Sequence, residues 1–187
     1  MLKRIFLVVI GLSGALVWGQ TEIQYQPKAL QKVMQKEGIS DFSCITELAV
    51  ADSIQQNYPL WGKFFEIHSV PGSYKYLYIG RVNSCRAGIC SASAEMPGQG
   101  DSEYFDFFIL FDTNKTVQLV KVFNYQATHG HEITAKGWLK QFIGHDGSEP
   151  LQVNKNIDAI SGATISVYAL TADVEMKTLV LNKLLQD

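Results

Sequence analysis

The sequence predicts an α+β fold, a mostly antiparallel sheet covered by helices. Three observations predict it. The runs Tyr104–Phe111 and Thr116–Tyr125 alternate apolar and polar positions around Asp112-Thr113-Asn114-Lys115, the pattern of a β-hairpin. Lys63–His68 and Tyr74–Val82 flank Val70-Pro71-Gly72-Ser73 in the same way. From Val167 onward, apolar residues recur at Val167, Leu170, Val174, Leu181 and Leu185, widened by Val180 and Leu184, with Asp173, Lys177 and Lys183 between them. That is the spacing of an amphipathic helix packed on a core. Hairpin-linked strands pair antiparallel, and a long helix outside them covers one face.

In chain order, residues 1–20 read as a leader. Lys3 and Arg4 precede an apolar run from Ile5 to Val17, followed by Trp18-Gly19-Gln20. A basic start, a short apolar stretch and a small-residue exit mark a secretory signal peptide, with cleavage expected after Gly19. The run is short for a membrane span, though an uncleaved anchor stays open. No cysteine adjoins the cut, which argues against a lipid anchor. The expected location is therefore exported: periplasmic, or membrane-associated on the extracytoplasmic side.

Residues 21–73 form an N-terminal extension of helices and strand. Pro27 to Glu37 predicts a helix, with Leu30, Val33 and Met34 on one face and Gly38 as its stop. A second, weaker helix is expected from near Asp41 to Gln55, with Ile45, Leu48 and Ile54 as its apolar set and Tyr58-Pro59 after it. The strand beginning at Tyr74 places Tyr74, Tyr76 and Tyr78 on one face. Aromatic cross-strand packing is the simplest use of them.

Cys85 and Cys90 lie close together, and in an exported chain such a pair suggests a local disulfide or a redox-active dithiol. Cys44 is left over and is expected to be buried and reduced. Residues 95–103 are polar and glycine-rich and read as a loop. After the hairpin come His129-Gly130-His131-Glu132. A metal site, a ligand contact and a solvated loop all remain open there. Trp138 and Phe142 fall at i and i+4 and suit a core contact, or the edge of a bound cofactor. The chain of 187 residues carries a net charge of −2, and loss of the leader makes it two units more acidic. That gives no electrostatic case for binding nucleic acid.

The long helix is preceded by Asp158-Ala159-Ile160-Ser161-Gly162-Ala163-Thr164-Ile165-Ser166. Thr164 or Ser166 is expected to cap the first free N–H groups. Those groups and the helix dipole favour an anion, above all a phosphate. No Gly-x-Ser-x-Gly elbow surrounds Thr164, so a hydrolase is a poor reading.

The pattern Asp-x-x-Ser-Gly-Ala-Thr resembles the flavinylation motif of the FMN-binding domain family. That family includes flavin-carrying components of the sodium-pumping NADH:quinone reductase and of the Rnf complex. Five fixed positions in seven residues carry the likeness, which extends from about Tyr74 to Leu185 and implies that residues 74–187 are a single FMN-binding domain. The resemblance implies FMN held on Thr164 through a phosphoester, with Ser166 as the second candidate acceptor. It also implies a separate FAD:protein FMN transferase that makes the bond. Ser161, Gly162, Ala163 and Ile165 would surround the cofactor and give the transferase access. Asp158 would orient the loop or bind a metal brought by the transferase, or would serve only as a helix-start carboxylate. By position, Glu132 matches a flavin-touching glutamate, His129 lies beside it, and Arg86 and Gly88 fall in a loop that approaches the flavin. The Thr-Pro-Gly-Leu-Gly pattern of the respiratory members is not reproduced, so the chain resembles a stand-alone exported branch.

The function this implies is an extracytoplasmic electron carrier with a membrane or extracytoplasmic redox partner. A flavin-dependent reductase using His129, His131 or Glu132 as proton donor is the enzymatic alternative. A flavin-free module holding another anion at the same helix end is the third.

Overall fold

The computed structural model describes residues 22–68, 73–84 and 103–186. The leader, Cys85, Arg86, Gly88 and Cys90 lie outside them. Among the described residues, five strands form one antiparallel sheet in sequence order: β1 (Ile45–Leu48), β2 (Gly62–Ile67), β3 (Tyr76–Asn83), β4 (Tyr104–Phe111) and β5 (Val117–Tyr125). The α+β class predicted from the two hairpins is the class observed. No helix among the described residues is long and apolar enough to cross a membrane.

The β4–β5 hairpin forms where expected. Asp112 shapes its turn by accepting from the N–H groups of Asn114 (2.8 Å) and Thr116 (3.0 Å), and Lys115 adopts a left-handed φ of 64°. β4 is buried at every position, because helices cover both faces of the sheet. Phe105, Phe107, Ile109 and Phe111 enter one core with α4 (Thr164–Leu184). Phe108 and Leu110 enter the other with α1 (Lys28–Lys36), which contributes Leu30 and Met34. The one charged residue of β4, Asp106, receives two bonds from Arg81, at 2.6 and 3.0 Å, and one from Asn124 at 2.7 Å. A buried carboxylate is tolerable only when paired in this way.

The second predicted helix is not there. Residues 41–57 instead hold a 3-10 turn (Phe42–Cys44), β1, and a short helix α2 (Asp52–Asn57). The apolar spacing of Ile45 and Leu48 fits a helix turn, but here each faces a β2 residue, Ile67 and Phe64. Asp41 caps only the 3-10 turn, accepting from Ser43 N–H at 2.8 Å, and the chain is extended again at Ile45, with φ −107° and ψ 113°. Cys44 is half-buried, not buried; its thiol donates to Asp41 O at 3.1 Å.

Tyr78 lies beneath α4, and a Cβ at Gly80, two residues along the same face, would collide with its ring. Of the three tyrosines predicted to share a face, Tyr78 is core and Tyr76 packs half-buried against the same cluster, but Tyr74 precedes β3 and packs half-buried against the other core, so the three do not share one face. α4 buries Val167, Leu170, Val174, Val180 and Leu181 as its pattern requires, but also Lys177. Lys177 sits at i+3 from Val174 and i−4 from Leu181, so the 3.6-residue period puts it on the seam itself. Its ammonium pairs with Asp173 at 3.0 Å and lies 5.4 Å from the Tyr78 ring centre. Burial raises the Asp173 carboxyl above the usual range, against the pull of Lys177.

Candidate functional site

The segment before α4 is held at both ends and open between them. At its start, Trp138 Nε1 donates to Asp158 O at 2.8 Å, and Asp158 N–H donates to Gln141 Oε1 at 2.8 Å. Both partners come from the short helix α3 (Lys136–Leu139) and the 3-10 turn that continues it. Trp138 and Phe142 are buried and meet edge to face at 5.3 Å. They serve the core, and the Trp138 indole also positions the motif loop. The Asp158 side chain is exposed.

At the far end, Ser166 points inward and is 1% exposed. Its Oγ lies 2.7 Å from Ser84 Oγ and 2.8 Å from the Tyr125 hydroxyl. Tyr125 also donates to the carbonyl of His129. Burial pushes the Tyr125 phenol above its ordinary range, while hydrogen bonds from Ser166 and Ser84 pull the other way. Gly130, at φ 90°, closes over this cluster; a Cβ there would stand 2.6 Å from Ser166 Oγ and 2.8 Å from the Tyr125 hydroxyl oxygen.

Between the two anchors the chain turns. Ala163 N–H donates to Ile160 O at 3.1 Å, and Gly162 takes a φ of 83°. Ser161, Gly162, Thr164 and Ile165 are exposed; Ala163 is buried. α4 begins at Thr164, and its first intrahelical bond runs from Val167 N–H to Ala163 O at 2.9 Å. The expected side-chain cap is absent. Ala163 occupies the N-cap position, and no side chain among the described residues bonds to the helix start. Ser166 cannot cap because its hydroxyl is committed inward, and Thr164 is already inside the helix. The opening amides therefore keep their unmet donor capacity and the positive end of the helix dipole.

That helix end opens on a cavity of about 400 Å³ lined by Ser84, Glu103, His129 and residues 162–166. Its size is in the range of small-molecule sites, roughly 300 Å³ upward. Ser84 and Glu103 arrive there because β3 and β4 end together: Asn83 pairs with Tyr104, and Ser84 N–H donates to Glu103 O at 2.8 Å. The Glu103 carboxylate accepts from Thr128 N–H at 2.9 Å. No lysine or arginine among the described residues lines the cavity. Among the described residues the helix end is the positive feature of the lining.

Of the residues singled out from the sequence, Gly162, Ala163, Thr164, Ile165, Ser166 and His129 all line this cavity. Ser161 adjoins it in sequence. Asp158 and Glu132 do not line it; Glu132 is exposed on the 3-10 turn His131–Thr134. His129, His131 and Glu132 are not placed to hold a metal ion together, and no other such group occurs among the described residues. Ser84, Glu103 and Tyr125 were missed. The first two were within reach from strand register, since they sit at matching strand ends.

Residues 100–176 match the family described as the FMN-binding domain. The match begins just before β4 and runs through the hairpin, α3, the motif loop and more than half of α4. No curated protein matches the sequence.

Proposed function

We propose that this chain, whose residues 100–176 match the FMN-binding domain, is a flavoprotein whose FMN is attached covalently, through a phosphoester to Thr164. The observation that carries this reading is an exposed Thr164 hydroxyl on the first helical residue. It stands beside an uncapped helix end and a cavity large enough for a ligand. The residues fit the group. Uncapped amides at the end of a 21-residue helix suit a phosphate. The Glu103 carboxylate in the cavity lining suits the hydroxyls of a ribityl chain.

Attachment would use another enzyme, since among the described residues no base is hydrogen-bonded to the Thr164 hydroxyl to activate it. An FAD:protein FMN transferase would form the bond from Thr164 Oγ1 to the FMN phosphorus, break the pyrophosphate of FAD, release AMP and accept the hydroxyl proton. Ser161 and Gly162 leave the approach open; a Cβ built at Gly162 meets nothing within 4 Å. Bound FMN supplies transfer of one or two electrons. The role we assign is an electron carrier on the extracytoplasmic side, where a covalent tether keeps a cofactor that would otherwise diffuse away. The basic and apolar pattern of residues 1–20 supports export. A redox partner in or outside the membrane follows from that role.

Co-expression with an FMN transferase, followed by intact-mass measurement, tests the proposal. The expected product carries one FMN less one water, and Thr164→Ala carries none. A colourless wild-type protein of unmodified mass overturns it.

A further inference from the structure

Among the described residues, three large apolar side chains stand exposed: Ile143 at 48%, Ile165 at 36% and Tyr168 at 53%. Isolated exposed apolar residues are ordinary. Two of these three are not isolated, for they flank Thr164 on the first turns of α4. At about 100° per residue, Tyr168 lies roughly 40° around the helix from Thr164 and 60° from Ile165, one turn of about 5.4 Å further on. A helical side chain leans toward the N-terminus and covers the turn before its own Cα. The Tyr168 ring is therefore directed over the turn that carries Thr164 and Ile165. It has no hydrogen bond and no aromatic neighbour among the described residues.

The cavity beside Thr164, whose lining Ile165 shares, does not include the Tyr168 ring. Its lining holds the Glu103 carboxylate, His129 and the mutually bonded hydroxyls of Ser84 and Ser166, with Ala163 and Ile165 as its apolar part and no aromatic carbocycle among the described residues. Glu103 and His129 suit a polyhydroxyl chain and the helix end a phosphate, whereas a three-ring heterocycle gains most from a flat aromatic face. Such a face lies one turn along the helix, and a five-carbon ribityl chain is long enough to reach it.

We propose that Tyr168, flanked by Ile165, is the ledge on which the isoalloxazine ring of the tethered FMN stacks. The proposal rests on the Thr164 attachment and deepens it. The phosphate end stays at the helix start, the ribityl chain crosses the rim, and the ring lies on the outer surface of α4. One ring face packs on the phenol and the other meets solvent, where a redox partner can approach it. A ring contact of this kind multiplies the stacked population by about two- to tenfold.

The test uses the full chain flavinylated by a transferase, as wild type, Tyr168→Phe and Tyr168→Leu. Intact mass reports attachment, and flavin emission lifetime with visible circular dichroism reports stacking. A phenol in contact with an excited flavin quenches it by electron donation, which phenylalanine and leucine do not do. The expected result is full attachment in all three proteins and a longer emission lifetime in both variants. The visible dichroism of an ordered ring should persist in Tyr168→Phe and fall in Tyr168→Leu. Full attachment with lifetime and dichroism unchanged in Tyr168→Leu overturns the ledge and leaves the attachment standing. Absence of the FMN mass from the wild type overturns both.

Discussion

Thr164 and Ser166 stand two residues apart on one helical turn and carry the same chemical group, yet the fold treats them in opposite ways. The outer side of the turn is left unfinished: Thr164 is exposed, no side chain among the described residues caps the helix, and Ile165 and Tyr168 are exposed. The inner side is fully committed. Ser166 is locked between Ser84 and Tyr125, under a glycine whose missing side chain makes room for the contact. Stability is made on one side and binding capacity is kept on the other. Such a division is expected of a site on a rigid scaffold, since groups already paired within the fold have nothing to offer a ligand.

Substitutions on the inner side should act on stability. The largest effect is expected from Gly130→Ala. It forces a non-glycine residue to φ 90° and drives a methyl group into Ser166 and Tyr125. Backbone strain alone costs about 1–3 kcal/mol, so urea denaturation should show a loss of about 2–3 kcal/mol. An unchanged midpoint would mean the packing over Ser166 is looser than described.

Ser166→Ala removes one hydroxyl from the buried cluster, and a loss of about 1 kcal/mol is expected. FMN attachment should survive it. Thr164→Ala should reverse that profile, with stability within about 0.5 kcal/mol of wild type and attachment lost. If Ser166→Ala abolished attachment while Thr164→Ala kept it, the assignment of the two hydroxyls would be inverted.

The smallest effect concerns pH. The folded protein holds the Tyr125 proton more tightly than the unfolded chain does, because burial raises its pKa. A raised folded pKa contributes stability that is complete below the ordinary tyrosine value of about 10 and is lost as pH rises through the folded value. The stability difference between wild type and Tyr125→Phe should therefore shrink above pH of about 10. A difference that stays constant into that range would show that the phenol does not need its proton to hold the cluster.

Much of this was legible in the sequence where the signal was local. The β4–β5 hairpin is specified by its own alternation and by Asp112. The start of α4 follows from the motif and the apolar period after it. What escaped depends on partners distant in the chain. Which hydroxyl of the motif turns inward is decided by Ser84, 82 residues away, and by Tyr125, 41 residues away. Cap propensity ranks serine and threonine too closely to separate them. Ile45 and Leu48 fit a helix and a strand equally well until β2 offers a pairing edge. Lys177 reads as a solvent-side charge by type, though its register sets it on the buried seam, where Asp173 makes it tolerable. The clamp on Asp158 could not be foreseen, since an indole N–H announces nothing about which carbonyl it will meet.

The central claim is that one particular oxygen holds the cofactor. Trypsin should release a single peptide from Asn156 to Lys177 containing Ser161, Thr164 and Ser166 together. Fragmentation of that peptide from transferase-treated protein should place the FMN phosphoester on Thr164 alone. FMN on Ser166 or Ser161, or a peptide that carries none while the protein binds flavin reversibly, would contradict it.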